Sequence, residues 1–352
     1  MQNKRYNLLS RIRDFIILGF LLKIFFALNK RRPVIPKTLA IIKLDGIGDY
    51  ILFRNFIKTI RESEKFKEYK ITLCGNIIWR ELAESFDKEY LDDFVWIDKV
   101  KFRSKLSYKL SALGKLLNRR FEMAIHPTYS RDMLADTIAR SAGTNNLIGH
   151  KGDTLNLRPA QKKITHAYNT RLIDTGDKGV FEFLINKKFM EMLLEKRLDV
   201  DRPQLDVSRV AFEPKPDEPF AVLFPGASHK TKMWDTKNFA AIADHLHSKY
   251  NYAIVVCGSE NERPLAELIM KRAQDAKIII MDSSSLPKLG KILSRARIII
   301  TNDTGAMHMG VAVGTRVVCI SSGISAGRYT PYPKFLCDKC ATVYPPGMPE
   351  LS

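Results

Sequence analysis

From residue 36 onward the sequence alternates short apolar runs with amphipathic stretches, and this rhythm limits what the chain can fold into more than any single motif does. Thr38–Leu44 (TLAIIKL) is an apolar run that ends at the turn Asp45-Gly46-Ile47-Gly48-Asp49. Ile51, Leu52, Phe56, Ile57 and Ile60 follow at spacings of one, three or four, which is a helical pattern. Tyr69–Cys74, Phe94–Ile97 and Glu122–His126 read as further strands, with helices between them that include Arg131–Ala142. Residues 145–180 are polar and basic, and a loop is expected there. The rhythm restarts at Phe220–Phe224 and passes through helix Thr236–Lys249, strand Tyr252–Cys257, helix Glu262–Ala273 and strand Lys277–Met281. Helix Leu286–Ser294, strand Ile298–Thr301, helix Gly305–Val313 and strand Arg316–Ile320 complete it. Such alternation builds parallel sheets with helices on both faces. The expected fold class is therefore α/β, with two doubly wound, Rossmann-like domains facing across a cleft. Pro203, Pro214, Pro216 and Pro219 mark the linker, which puts the domains at residues 38–205 and 206–352.

Residues 1–37 are a separate object. The chain of 352 residues carries 57 Lys+Arg against 38 Asp+Glu, a net charge of +19, and this segment supplies nine of the cations against Asp14, or +8. Between its basic clusters lies Phe15–Leu28, apolar but interrupted by Lys23. A bilayer span needs ~20 apolar residues, so this run is short for one, and no small-residue cleavage site follows it. A helix lying in the membrane interface suits it, with apolar side chains in the acyl boundary and cations among anionic headgroups. The alternative is a helix packed on the protein's own body. The Lys/Arg bias favours the cytoplasmic face. The five cysteines, an odd count at irregular spacing, fit a reducing compartment.

Ligands of doubly wound sheets bind at the carboxyl ends of strands, and four turns there stand out. In Asp45-Gly46-Ile47-Gly48-Asp49, the third glycine of a dinucleotide fingerprint is replaced by Ile51 and no Gly-Lys-Ser/Thr follows. The glycines allow close approach of a ligand, and Asp49 either faces it or caps the following helix. Phe224–Trp234 offers Ala227, Ser228, Lys230 and Lys232, a set suited to a diphosphate, whose alternative is a solvated basic loop. In Cys257-Gly258-Ser259-Glu260, the carboxylate of Glu260 can accept ribose hydroxyls, and capping explains it equally well. Thr301–His308 bunches Asp303, Thr304 and Gly305 between an apolar strand and an apolar helix, whose free N–H groups would meet an anion. His308, one turn in, is either a packing residue or a contact.

Taken together, IIKLDGIGDYILFRNFIKTIR, HPTYSRDMLADTIARSAGTNNLIGH, FPGASHKTKMWDTKNFAAIADHL, CGSENERPLAELI and LSRARIIITNDTGAMHMGVAVGTRVVCI resemble the ADP-heptose:lipopolysaccharide heptosyltransferases of glycosyltransferase family nine, over roughly residues 38–335. The resemblance implies a GT-B fold whose carboxyl-terminal half holds the nucleotide sugar. It also implies inverting transfer of heptose from ADP-heptose to the lipid A–core oligosaccharide, at the inner face of the inner membrane. Asp49 matches the family's catalytic aspartate, and Lys232 its phosphate-binding lysine. Ala227 and Ser228 match its small or hydroxyl pair, Asp303, Thr304 and Gly305 the Asp-Thr-Gly that meets the donor, and Glu260 the acidic residue near the ribose. Gly48, Arg131, Lys162 and Lys163 are expected on the acceptor side, where cations suit the phosphates of an inner core; the alternative is a solvated basic surface.

No Asp or His cluster has metal-ligand spacing, and GT-B enzymes generally work without a bound metal, so neither a metal nor a cofactor besides the donor is expected. Cys337-x-x-Cys340 is half a zinc site with no visible second half. The basic amino-terminal segment lies outside the family core, and members usually continue with more helix after the point where this sequence stops. Three other readings stand against the transferase: the same fold acting on another nucleotide sugar or acceptor, a basic nucleic-acid-binding protein, and an inactive membrane scaffold. Nucleic acid is not the expected partner, because +8 of the charge sits in an apolar segment and no RNA-binding aromatic motif is present.

Overall fold

The computed structural model describes residues 33–348 apart from 177–178, 213–215 and 284. The interfacial helix expected over Phe15–Leu28 lies outside the described residues. The first sheet consists of β1 (Ile35–Lys43), β2 (Lys70–Asn76), β3 (Asp93–Ile97), β4 (Phe121–His126), β5 (Leu147–His150) and β6 (Arg171–Ile173), in the order β3-β2-β1-β4-β5-β6. The second consists of β7 (Phe220–Phe224), β8 (Ala253–Gly258), β9 (Ile278–Asp282), β10 (Ile298–Asn302), β11 (Val317–Ile320) and β12 (Cys340–Val343), in the order β12-β11-β10-β7-β8-β9. All neighbours pair in parallel. The two-domain α/β architecture of GT-B enzymes is thus met by two six-stranded parallel sheets. Helices on both faces explain why the central strands are continuous apolar runs: Leu39 to Ile42 of β1 and Ala221 to Leu223 of β7 are wholly buried.

The helices are α1 (Ile47–Ile51), α2 (Asn55–Arg61), α3 (Arg80–Phe86), α4 (Lys99–Ser104), α5 (Leu106–Leu117), α6 (Met133–Arg140), α7 (Pro159–His166) and α8 (Glu182–Leu194), then α9 (Thr236–Tyr250), α10 (Arg263–Arg272), α11 (Leu286–Arg295) and α12 (Gly305–Ala312). Residues 145–180 are not a loop: β5, α7 and β6 occupy much of the stretch. These strands are only four and three residues long, too short for periodicity to register. In α7 Thr165 is the one residue classed as buried, so the helix has no apolar stripe to read. The helical pattern after residue 47 is likewise split into α1 and α2. Cys340, of the Cys337-x-x-Cys340 pair, opens the edge strand β12 opposite Val317.

By its internal contacts the chain forms two compact units. The first sheet lies in a unit made of residues up to Leu44, Ile60–Ile77 and Tyr90–Thr175. Asp45–Thr59 and Ile78–Glu89 belong instead with everything from Gly176 onward, including the second sheet. The chemistry holding those two early segments in the second unit is explicit. The Tyr50 and Trp79 rings stack at 4.0 Å, and the Trp79 indole N–H donates to the Asp45 carbonyl at 3.1 Å. The Tyr50 hydroxyl and two Arg54 nitrogens donate to buried Asp87 at 2.6, 3.1 and 2.7 Å, while Arg54 also donates to the Gln204 carbonyl at 2.5 Å. Phe56 packs against Phe183 with ring centroids 5.3 Å apart. Removing one partner of a buried ion pair strands the other charge, so Asp87→Ala is expected to lower unfolding free energy by about 3–5 kcal/mol. Urea denaturation measures this, and a loss under about 1 kcal/mol would show that the Gln204 carbonyl suffices for Arg54. Among the described residues no helix is long and apolar enough to cross a membrane.

Candidate active site

A cavity of about 580 Å³ opens within the second unit, at the carboxyl ends of β7, β8 and β10. Its volume is in the range of small-molecule sites. Gly46, Gly48 and Asp49 from the turn into α1, Ser228 and Lys232 from the loop after β7, and Asp303, Thr304 and Gly305 after β10 all line it. Eight residues from three separate turns therefore share one cavity.

Asp49 is the third residue of α1. Its Oδ2 accepts from the Gly46 N–H at 3.1 Å, which ties off one of the free amides at the helix start. Its Oδ1 accepts from the Tyr329 hydroxyl at 2.7 Å. Capping and facing the cavity are thus both true of this carboxylate, and each role uses a different oxygen. Gly48 permits the close packing of α1 on α12, since a Cβ there would stand 2.6 Å from Cδ2 of His308.

The Lys232 ammonium bridges Asp303 Oδ2 at 3.1 Å and the Ser325 hydroxyl at 3.0 Å. Trp234 anchors this loop, as a large aromatic there should: its N–H donates to Asn302 Oδ1 at 3.1 Å and its ring packs edge-on against Phe239. Asn302 in turn donates to the Pro225 carbonyl at 2.7 Å, which locks the loop after β7 to the loop after β10. Thr304 caps α12 through its hydroxyl, which accepts from the Ala306 N–H at 3.3 Å. The helix therefore starts inside the cavity with its amide dipoles directed toward any anion there.

Glu260 is exposed and borders a small recess against β9 rather than the large cavity. Glu262 takes the cavity position: its Oε2 accepts from the backbone N–H and hydroxyl of Ser259, both at 2.8 Å. A Cβ on Gly226 would fall 1.7 Å from Glu262 Oε1, so a larger residue there would push this carboxylate out of its place. The sequence CGSENERP offers both glutamates, and only the short helical turn Glu260–Glu262 decides which one points inward.

The segment Ser321–Tyr332 carries the partners that local reasoning missed. Besides Ser325 and Tyr329, it supplies Arg328, whose Nε donates to buried Glu182 at 2.8 Å, and Tyr332, whose hydroxyl is 2.6 Å from Nδ1 of His308. Burial pulls the His308 pKa down to about 4, so the imidazole is neutral at physiological pH and forms a wall of the cavity. Burial and then the Asp49 charge push the Tyr329 phenol well above its ordinary range, so it remains protonated and able to donate.

The residues expected on the acceptor side divide. Gly48 lines the cavity described above. Arg131, Lys162 and Lys163 lie in the first unit, where Arg131 is buried, Lys162 donates to the Gly152 carbonyl at 2.6 Å and Lys163 is exposed. Among the described residues no group of three or more His, Cys, Asp or Glu side chains is arranged to hold a metal ion.

Residues 148–336 match the family model described as glycosyltransferase family 9 (heptosyltransferase). Among curated proteins the chain is 24% identical over 120 residues to lipooligosaccharide heptosyltransferase 2 of Haemophilus influenzae, covering 33% of this chain and 34% of that protein. It is 26% identical over 104 residues to lipopolysaccharide heptosyltransferase 3 of Escherichia coli, covering 29% and 30% respectively. These matches thus span about a third of the relatives' length. Among solved structures, E. coli heptosyltransferase WaaC with ADP-2-deoxy-2-fluoro heptose superposes with a TM-score of 0.69 at 14% identity, covering 88% of this chain and 94% of that one. A glycosyl transferase family 9 protein from Veillonella parvula gives 0.67 at 16% identity, covering 89% and 87%. At these identities the superpositions speak for the fold.

Proposed function

Because the chain belongs to glycosyltransferase family 9, whose model covers 189 of its 352 residues, we propose that it transfers heptose from ADP-heptose to the inner core of a lipopolysaccharide with inversion at the anomeric carbon. The observation that carries this reading is the convergence of Asp49, Lys232, Asp303 and the start of α12 on one cavity. The acceptor hydroxyl gives its proton to the Asp49 carboxylate as its oxygen bonds to the anomeric carbon. The bond from that carbon to the diphosphate oxygen breaks on the opposite face, and the electron pair leaves with ADP. Ser228, Lys232 and the N–H groups at Thr304–Gly305 stabilise the charge that grows on the leaving group. Glu262 stands where a carboxylate can accept the ribose hydroxyls, in the role first ascribed to Glu260. No metal or cofactor has a step in this scheme. The acceptor is a membrane lipid, so the protein works at the cytoplasmic membrane surface, with the basic segment before residue 37 as the attachment and no nucleic acid as partner.

The test is turnover of ADP-heptose with a heptose-deficient lipopolysaccharide, run beside other nucleotide sugars. Heptose transfer with inverted configuration is expected. ADP binding with transfer of a different sugar would reassign the donor, and absence of ADP binding would overturn the donor-site assignment.

Tyr329 is a positioning residue in this scheme. Its hydroxyl donates to Asp49 Oδ1 at 2.7 Å and fixes that oxygen, while the positive charge of Arg328 acts on the same carboxylate. In Tyr329→Phe the donated bond is lost and Asp49 Oδ1 is no longer held, so kcat is expected to fall about tenfold with the donor KM unchanged. Steady-state kinetics with separate donor titrations check this. An unchanged kcat, or a fall shared equally with donor binding, would reduce Tyr329 to a packing role.

A further inference from the structure

Cys74, Cys257 and Cys319 are buried, whereas Cys337 and Cys340 are half-buried free thiols. These two lie in the second unit on either side of Asp338 and Lys339, which form the turn into β12. A turn of this length brings the Cα atoms of its first and last residues within about 7 Å, and a disulfide spans about 4.4–6.8 Å. Both ends are held. Cys340 pairs with Val317 in the sheet, and the Lys339 carbonyl accepts from the Val317 N–H at 2.9 Å. The Cys337 N–H donates to the Pro333 carbonyl at 3.1 Å, beside the Leu336 N–H at 2.9 Å.

The turn Pro333–Cys337 follows directly on Tyr332, which leads to the large cavity. Tyr332 is only 3% exposed, its ring packs on Phe181 with centroids 4.6 Å apart, and its hydroxyl stands 2.6 Å from Nδ1 of His308. His308 is the cavity wall that Gly48 packs against. Burial, then Cys340, Cys337 and Cys319, push the Tyr332 phenol well above its ordinary range, so the sulfurs lie within electrostatic reach of it. Burial and then Cys337 push the Cys340 thiol up to about 12. Cys340 is therefore protonated at physiological pH, and Cys337, near the exposed Phe335, is the sulfur that an oxidant meets first.

We propose that Cys337 and Cys340 are a redox-sensitive dithiol whose closure to a disulfide loosens the wall of the donor cavity. The oxidant is a low-molecular-weight disulfide. The Cys337 thiolate attacks one of its sulfurs, forming a mixed disulfide and releasing one thiolate. Cys340 gives up its proton and attacks the Cys337 sulfur, so that the intramolecular bond forms and the second thiolate leaves. Two protein thiols are oxidised and one disulfide is reduced to two thiols. Because Cys340 is fixed in the ladder, the approach of the sulfurs to bonding distance is taken up by Pro333–Cys337, and the contact between Tyr332 and His308 lengthens. The proposal rests on the transfer reading only in taking the cavity as the donor's.

The experiment equilibrates the full chain in mixtures of oxidised and reduced glutathione, blocks free thiols and digests with trypsin, which cuts after Lys334 and Lys339. In the oxidised protein the peptides Phe335–Lys339 and Cys340–Ser352 should stay joined by the disulfide, whereas Cys340→Ser should carry glutathione on Cys337. Hydrogen exchange of the α12 amides is the readout that needs no ligand. It is expected to be at least threefold faster in the oxidised protein, with ADP bound at least threefold more weakly. Both effects should revert with dithiothreitol, and neither should appear in Cys337→Ser. Failure of the reduced protein to bind ADP would count against the donor reading, and the exchange comparison then decides this one. Full oxidation without the Cys337–Cys340 linkage, or linkage with α12 exchange unchanged, would overturn the proposal. So would a metal ion that purifies with the protein and shields both thiols.

Discussion

Asp49→Asn is expected to slow glycosyl transfer by about a thousandfold while leaving ADP affinity within about twofold of wild type. Asparagine is the informative substitution because the surroundings can accept it. Its Oδ1 can take over the Gly46 N–H, and its amide can donate to the Tyr329 hydroxyl, which is free to turn and accept. The start of α1 therefore stays tied, and what disappears is the capacity to take a proton. Alanine would confound the two, since it also removes the contact that holds Gly46. Single-turnover rates with ADP-heptose and a heptose-deficient acceptor, together with an ADP titration, separate chemistry from binding. A rate within tenfold of wild type would place the base elsewhere.

Lys232→Ala should act on both sides of the reaction. The side chain is half-buried between Asp303 and Ser325, and its ammonium is the cation that both of them contact. Without it a diphosphate entering the cavity meets the Asp303 carboxylate uncompensated. The expected loss in kcat/KM is about 10²–10³-fold, with the donor KM rising and kcat falling, because charge grows on the leaving group as the bond breaks. Lys232→Arg should recover part of the binding and little of kcat, since a planar fork cannot occupy the place of a compact ammonium. A change in KM alone would assign Lys232 to ground-state binding.

How much of this was legible in the sequence depends on how local each cause is. In the second sheet β7 matches its sequence-derived bounds, Phe220–Phe224, and its neighbours lie within a residue or so of theirs. Each is a run of Val, Ile and Leu buried on both faces, a signal contained in five consecutive residues. The turns carrying Asp49, Lys232 and Asp303 were legible for the same reason, because a small-residue turn after such a run can only be a strand's carboxyl end. The short edge strands β5 and β6 and the polar α7 offered no such run. Glu262 in place of Glu260 hung on one turn of helix. Tyr329 was out of reach, because it meets Asp49 across 280 residues of chain and nothing near either residue announces the other. Arg131 and Lys162 were legible as cations, but the burial of Arg131 depends on three strands ending together.

The allocation of Asp45–Thr59 and Ile78–Glu89 to the second unit bears on how such proteins can be recombined. A chimera joined at the Pro-rich linker would take α12 and Tyr329 from one parent and α1 and Asp49 from the other. The crossover would then cut through one packed interior, pairing a foreign His308 with Gly48 and a foreign Tyr329 with Asp49. Donor specificity is exchangeable as a module only if residues 45–59 and 78–89 travel with the carboxyl-terminal half.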